Sequence, residues 1–225
     1  MNRYQTNHSN EVHQLIVTPS KHFFVTRNGI LKHQKKPFEI KLENCKDFKK
    51  THITHYIIRD HFSGLVYWET CTSNAAIPIH EFLFRAWAKK EKQPFYGMPS
   101  CMTIPKNVQL FYPGLVNFVE TLGIDFIKVT SGFQGGVRDI RTIEDELRCA
   151  GLFLGNPEQF QTELPFELIL KKSYEICTRL SNNFYRKPSK KETWLSGFGS
   201  EQKIYIPKSL EIFKTTYQGI AESEY

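Results

Sequence analysis

The sequence predicts an α/β fold: a mixed sheet that opens as an antiparallel meander, helices on its faces, and a small β-hairpin ahead of it. Three observations lead there. Residues 55–70, HYIIRDHFSGLVYWET, place Tyr56-Ile57-Ile58 and Leu65-Val66-Tyr67-Trp68 on either side of a Gly-containing turn, a strong hairpin pattern. From residue 76 onward, apolar stripes at helical spacing alternate with short strand-like runs. Aromatic residues make up 14% of the chain, with 18 Phe and 10 Tyr, which suits a sheet packed with large side chains.

Taken in order, residues 1 to about 13 are polar and are expected to form a mobile tail. Phe23-Phe24-Val25-Thr26 and Ile30-Leu31 flank Arg27-Asn28-Gly29, and Asn-Gly is the favoured centre of a type I′ hairpin turn. KHQKK (32–36) is a basic connector ended by Pro37. Residues 38–44 alternate Phe38, Ile40 and Leu42 with Glu39, Lys41 and Glu43, which predicts a strand with one buried face. The 55–70 hairpin follows and completes three consecutive strands.

Residues 76–92 read as a helix, with Ile79, Phe82, Leu83, Ala86 and Trp87 on one stripe, Pro78 in its first turn and lysines at its end. A weakly patterned strand is expected within 95–105, a helix over 110–123 and a short strand over 124–129. TSGFQGG (130–136) is a glycine-rich loop. A long helix starts near Val137, with Val137, Ile140, Ile143, Leu147, Ala150 and Leu154 on one stripe and Arg138, Arg141, Asp145 and Arg148 on another. A last helix is predicted over 165–182, and IYIPKSLEIFKTTY predicts a strand and a short helix. The order is β-β-β-α-β-α-β-α-α. We divide the chain into a tail and hairpin (1–35), a core domain (36–190) and a C-terminal extension (191–225).

Composition narrows the function classes. The five cysteines are scattered and form no CxxC pair, which argues against a disulfide framework and a zinc ribbon. No apolar run reaches the roughly 20 residues that span a bilayer, and the N-terminal residues lack a signal-peptide core; a cytoplasmic protein without membrane contact is expected. The net charge is +7 with a pI near 9.1, so nucleic acid is the first partner to consider. No Gly-x-Ser-x-Gly elbow accompanies His61 and Ser63, and Ser63 is expected to cap its turn. Gly132, Gly135 and Gly136 precede no Gly-Lys-Ser/Thr, so they make no phosphate loop.

Several segments in one order resemble the catalytic core of retroviral-type integrases and transposases. They are KKPFEIKLEN, RDHFSG, FVETLGIDFIKV, TSGFQGGVRDIRTIEDEL and LSNNFYRKPS, together covering roughly residues 36–190. The resemblance implies a ribonuclease H-like fold and a set of acids that holds two divalent cations, Mg²⁺ or Mn²⁺, for phosphoryl transfer. It puts the first acid at Glu43, beside Asn44, and matches Asp60 to a structural acid of the hairpin turn. The second acid belongs near Thr103, Ile104 and Pro105, yet no Asp or Glu occurs between Glu91 and Glu120. Asp139 is the candidate for the third, with Glu144 as its alternative.

With the second acid missing, the expectation is an integrase-core-like protein that binds nucleic acid without catalysis, associated with DNA integration or transposition. No cofactor is then expected. Metal at Glu43 and Asp139 belongs to the alternative, an active DNA-joining enzyme or nuclease with a displaced set that includes Asp60. A third reading is a protein-interaction module, a homodimer or a partner of another mobile-element protein. The candidate nucleic-acid contacts are Arg138, Arg141, Arg148, Lys35, Lys36, Lys190 and Lys191, with DNA as the first partner and RNA as the second.

Overall fold

The computed structural model describes residues 5–45, 47–91, 93–129, 134–154, 164–182, 187–200 and 202–223. The chain opens with β1 (Val12–Val25) and β2 (Ile30–His33), joined through Arg27-Asn28-Gly29; of these Gly29 alone takes a positive φ, 73°, so the turn is not the expected type I′. Next come β3 (Thr51–Asp60), β4 (Val66–Thr72) and helix α1 (Ile79–Trp87). Strand β5 (Cys101–Ile104) precedes α2 (Lys106–Phe111) and α3 (Leu115–Thr121), and β6 (Asp125–Lys128) leads to the long α4 (Gln134–Leu154). The short β7 (Leu164–Pro165), α5 (Phe166–Ser181), α6 (Lys190–Ser196) and α7 (Leu210–Ser223) complete the order.

Everything is arranged around β1. It pairs antiparallel with β3 along one side, and β3 with β4. On its other side the two ends of β1 take different partners. Val12–Gln14 pair in parallel with β5, which pairs in parallel with β6; Phe23–Val25 pair with β2, which pairs with β7. The β1–β3 register shifts between Pro19 and Phe24, where Pro19 supplies no amide donor. The result is one mixed, seven-stranded sheet.

Side-chain alternation gives each face its own core. Leu15, Val17, Tyr56, Ile58 and Met102 point to the face covered by α1, α3 and α7. Ile16, Ile57, Val66 and Trp68 point to the opposite face, covered by α4 and α5 through Ile143, Leu147, Ile169 and Ile176.

Several expectations are corrected. Residues 38–44 form no strand: Leu42–Asn44 make a single 3-10 turn, and Ile40 and Leu42 are buried anchors. The first strand of the meander is β1, drawn from the segment expected to stand apart as a hairpin. The reason lies in the two patterns. LIV in β1 is apolar at consecutive positions, as a strand buried on both faces requires, whereas 38–44 places a charge at every second residue. The expected boundary at residue 35 therefore falls after two strands of this same sheet.

The described part of the N-terminal segment is packed. Ser9, Asn10 and His13 are buried, and the Ser9 hydroxyl donates to the Trp194 carbonyl across 185 residues, at 2.7 Å. The helix expected over 110–123 is two helices broken at Pro113 and Gly114. IYIPK is extended without joining the sheet. Helix α6 is an addition to the expected elements, although Ser189-Lys-Lys-Glu192 carries its capping box. The Ser189 hydroxyl accepts from the Glu192 amide, and the Glu192 carboxylate accepts from the Ser189 amide.

Candidate nucleic-acid interface

The register of the five strands β4-β3-β1-β5-β6 defines a row of side chains under the first turns of α4. Gln14 lies opposite Arg59 on β3 and opposite Thr103 on β5; Arg59 lies opposite Val66, and Thr103 opposite Ile127. All alternate onto the face that α4 covers. Side chains from two parallel strands and the start of a helix converge here. Gln14 and Thr103 hold the strand positions, and the buried Thr103 hydroxyl has no hydrogen-bond partner among the described residues.

Asp139 projects from α4 over the same row. Arg59 Nη1 donates to its Oδ2 at 2.9 Å, and Lys190 Nζ to its Oδ1 at 3.5 Å, so both carboxylate oxygens face cations. Asp139 is 4% exposed, against 20% for Arg59 and 17% for Lys190. A Cβ at Gly135 would come within 3.0 Å of Arg59 Nε, so the missing side chain lets the start of α4 come down over the guanidinium.

The other predicted acids lie elsewhere. Glu43 is exposed beside Lys41 in the 3-10 turn, at 3.8 Å, and its neighbour Leu42 is buried in the core of the opposite face. The structure therefore does not bring Glu43 and Asp139 together. Asp60 is fully buried at the end of β3. It accepts from the Asn10 amide at 2.9 Å, the Ser63 amide at 2.8 Å and the Ser63 hydroxyl at 2.6 Å. Burial nonetheless raises its pKa, with those bonds opposing. Ser63 also accepts from the Leu65 amide, so it caps the turn as expected.

Glu144 accepts from Ser20 Oγ at 2.5 Å and lies 3.6 Å from His55 Nε2. Burial works to raise its pKa, but the imidazole and the hydroxyl win and hold it below the usual carboxylate range. Among the described residues, no group of three or more His, Cys, Asp or Glu side chains is placed to hold a metal ion.

Three of the predicted cations do meet. Arg141 and Arg148 from α4 and Lys35 after β2 line a cleft of about 750 Å³ between α4 and the β1–β2 hairpin, together with Lys21. The sequence offers no sign of Lys21, because only the β1 irregularity turns it towards α4. Lys190 is committed to Asp139, whereas Arg138, Lys36 and Lys191 are exposed outside this cleft. Within it, His22 and His33 stack with centroids 5.6 Å apart and planes at 19°, and Phe23 meets His33 edge-on at 5.0 Å. Burial, the neighbouring His22 and Arg148 together lower the pKa of His33. No described helix is long and apolar enough to cross a membrane.

No family model and no curated protein matches the chain. Among solved structures it is similar to a chain of the simian T-cell lymphotropic virus intasome in complex with PP2A regulatory subunit B56 gamma. The TM-score is 0.51 and the identity 15%, over 92% of this chain. This chain spans 61% of that one, about three fifths of its length. At such low identity the likeness speaks for a shared mixed α/β fold, and function must be argued from the site.

Proposed function

We propose that this is a ribonuclease H-like domain of the integrase-core type that binds nucleic acid, DNA first and RNA second, without cutting or joining it. The strand order β4-β3-β1-β5-β6, three antiparallel strands followed by two parallel ones, supports the fold, as does the likeness to an intasome chain. One observation carries the loss of catalysis. Where two-metal chemistry would need converging carboxylates, Gln14 and Thr103 occupy the strands, and Asp139 is held between Arg59 and Lys190. The clustered cations of the α4 cleft and the charge of +7 support binding. A cytoplasmic role connected with DNA integration or transposition belongs to the same proposal.

The test is a titration of the protein against single- and double-stranded DNA at two salt concentrations, with and without Mg²⁺ and Mn²⁺, followed by a gel of the products. Binding that weakens with salt and yields no metal-dependent product is expected. Products that disappear in Glu43→Gln or Asp139→Asn would overturn the inactive reading. No binding under any condition would turn the reading towards a protein-interaction module.

A further inference from the structure

The cleft between α4 and the β1–β2 hairpin has walls of two different kinds. Its cations line it from both sides: Arg141 and Arg148 on the helix, Lys21 and Lys35 on the hairpin. Its interior is apolar and aromatic, made by Ile140 and the half-buried, stacked His22–His33 pair, with Phe23 packed behind them in the core. The two acids that reach it already have partners. Glu144 is taken by Ser20 and His55, and Asp145 pairs with Arg148 at 3.1 Å. Lys21, Lys35 and Arg141 are exposed and make no ion pair among the described residues.

We infer that this cleft takes an unpaired nucleotide of a single strand, its phosphates on the cationic walls and its base against the aromatic interior. The inference rests on the nucleic-acid reading above and adds the form of the ligand. A duplex turns its bases inward and presents a convex, fully charged backbone, which has no use for an apolar hollow. A hollow of about 750 Å³ has the size of a small-ligand site. Cationic groove and stacking surface together are what sequence-tolerant single-strand binding requires.

The experiment uses fluorescence anisotropy with labelled dT and U oligonucleotides and a blunt DNA duplex of the same length, across a NaCl series. The expected result is tighter binding of a single strand than of the duplex, and the better of the two single strands identifies the sugar. Arg141→Ala with Lys35→Ala should flatten the log–log salt dependence by about 0.7 for each phosphate that is no longer neutralised. Val137→Glu, which sets a negative charge at the exposed edge of the cleft, should weaken single-strand binding several-fold, by repelling the phosphates that the cationic walls attract. Lys214→Ala, exposed on α7 over the opposite face of the sheet, should leave it unchanged. Duplex binding at least as tight, or cleft variants that bind a single strand like the unaltered protein, would overturn the cleft assignment while leaving nucleic-acid binding standing. Failure of all three probes to bind would overturn both.

Discussion

His13 shows how completely one side chain can be fixed by its neighbours. The Trp87 indole can only donate, and its Nε1 lies 3.1 Å from His13 Nδ1, so that nitrogen accepts. The proton therefore sits on Nε2, which donates to Asn10 Oδ1 at 3.0 Å. A second proton would meet the indole N–H head-on, and burial pushes the pKa of His13 down to about 3. The unfolded chain takes up that proton near pH 6.5, the native one only near 3, so the stabilising effect is complete above 6.5 and is lost as pH falls between these values. We predict a fall of about 1.4 kcal/mol for each pH unit in that window from this group. Urea unfolding at several pH values would measure it, and His13→Gln should flatten the slope. Asp139 offers a sharper contrast. If its work is to hold Arg59 and Lys190, Asp139→Ala destabilises the protein by about 1–3 kcal/mol, allowing for the partial exposure of both cations. A carboxylate kept for metal would leave the metal-free protein as stable or more so when removed. Asp139 is legible in the sequence as a charge near a helix start, but Arg59, 80 residues away, can be assigned to it only from the folded register.

At the scale of elements, pattern locates most strands and helices but does not rank them. The 55–70 hairpin and the stripes of α1, α4 and α5 stand where their periodicity predicts, except that Val137 on α4 and Leu170 on α5 are exposed. Residues 38–44 mislead because alternation identifies a half-buried segment without saying that it pairs, and Ile40 and Leu42 satisfy the same pattern from a loop. Helix α6 is hidden for the opposite reason: it is short and lysine-rich, and one buried residue, Trp194, anchors it. That anchor predicts that Trp194→Ala costs about 3–5 kcal/mol, seen as a lower urea midpoint. Gly197 ends the same helix. A Cβ there would run into the Ser9 hydroxyl and the Phe62 ring, so Gly197→Ala should destabilise in the same assay. Both variants would separate α6 from the N-terminal segment without touching the α4 cleft.

For the molecule as a whole, the two faces of the sheet have separate tasks. One face carries the core built with α1, α3 and α7; the other carries α4, with the ion-paired acid at its start and the cationic cleft beside it. Cation binding to the native state would raise the melting temperature by mass action. With Asp139 already paired, we predict that Mg²⁺ or Mn²⁺ leaves the Tm unchanged, and that a chelator does too; an upward shift with either metal would reveal a cation site. The basic charge and the absence of any Asp or Glu between Glu91 and Glu120 are both readable in the sequence. The cleft is not, because its walls come from β1, β2 and α4, and no linear pattern tells which cations will face one another.

The bond from Ser9 to Trp194 also has a consequence for the order of assembly. Strand β1 is made early, yet the residues just ahead of it find their partner only after a further 185 residues have been synthesised. Until α6 emerges, Ser9 and Asn10 lack the Trp194 backbone and indole that close over them. A nascent chain can therefore form the β3–β4 hairpin locally while the seam beside the central strand stays open. That seam is closed among the last steps, so a stall in translation ahead of α6 leaves it open.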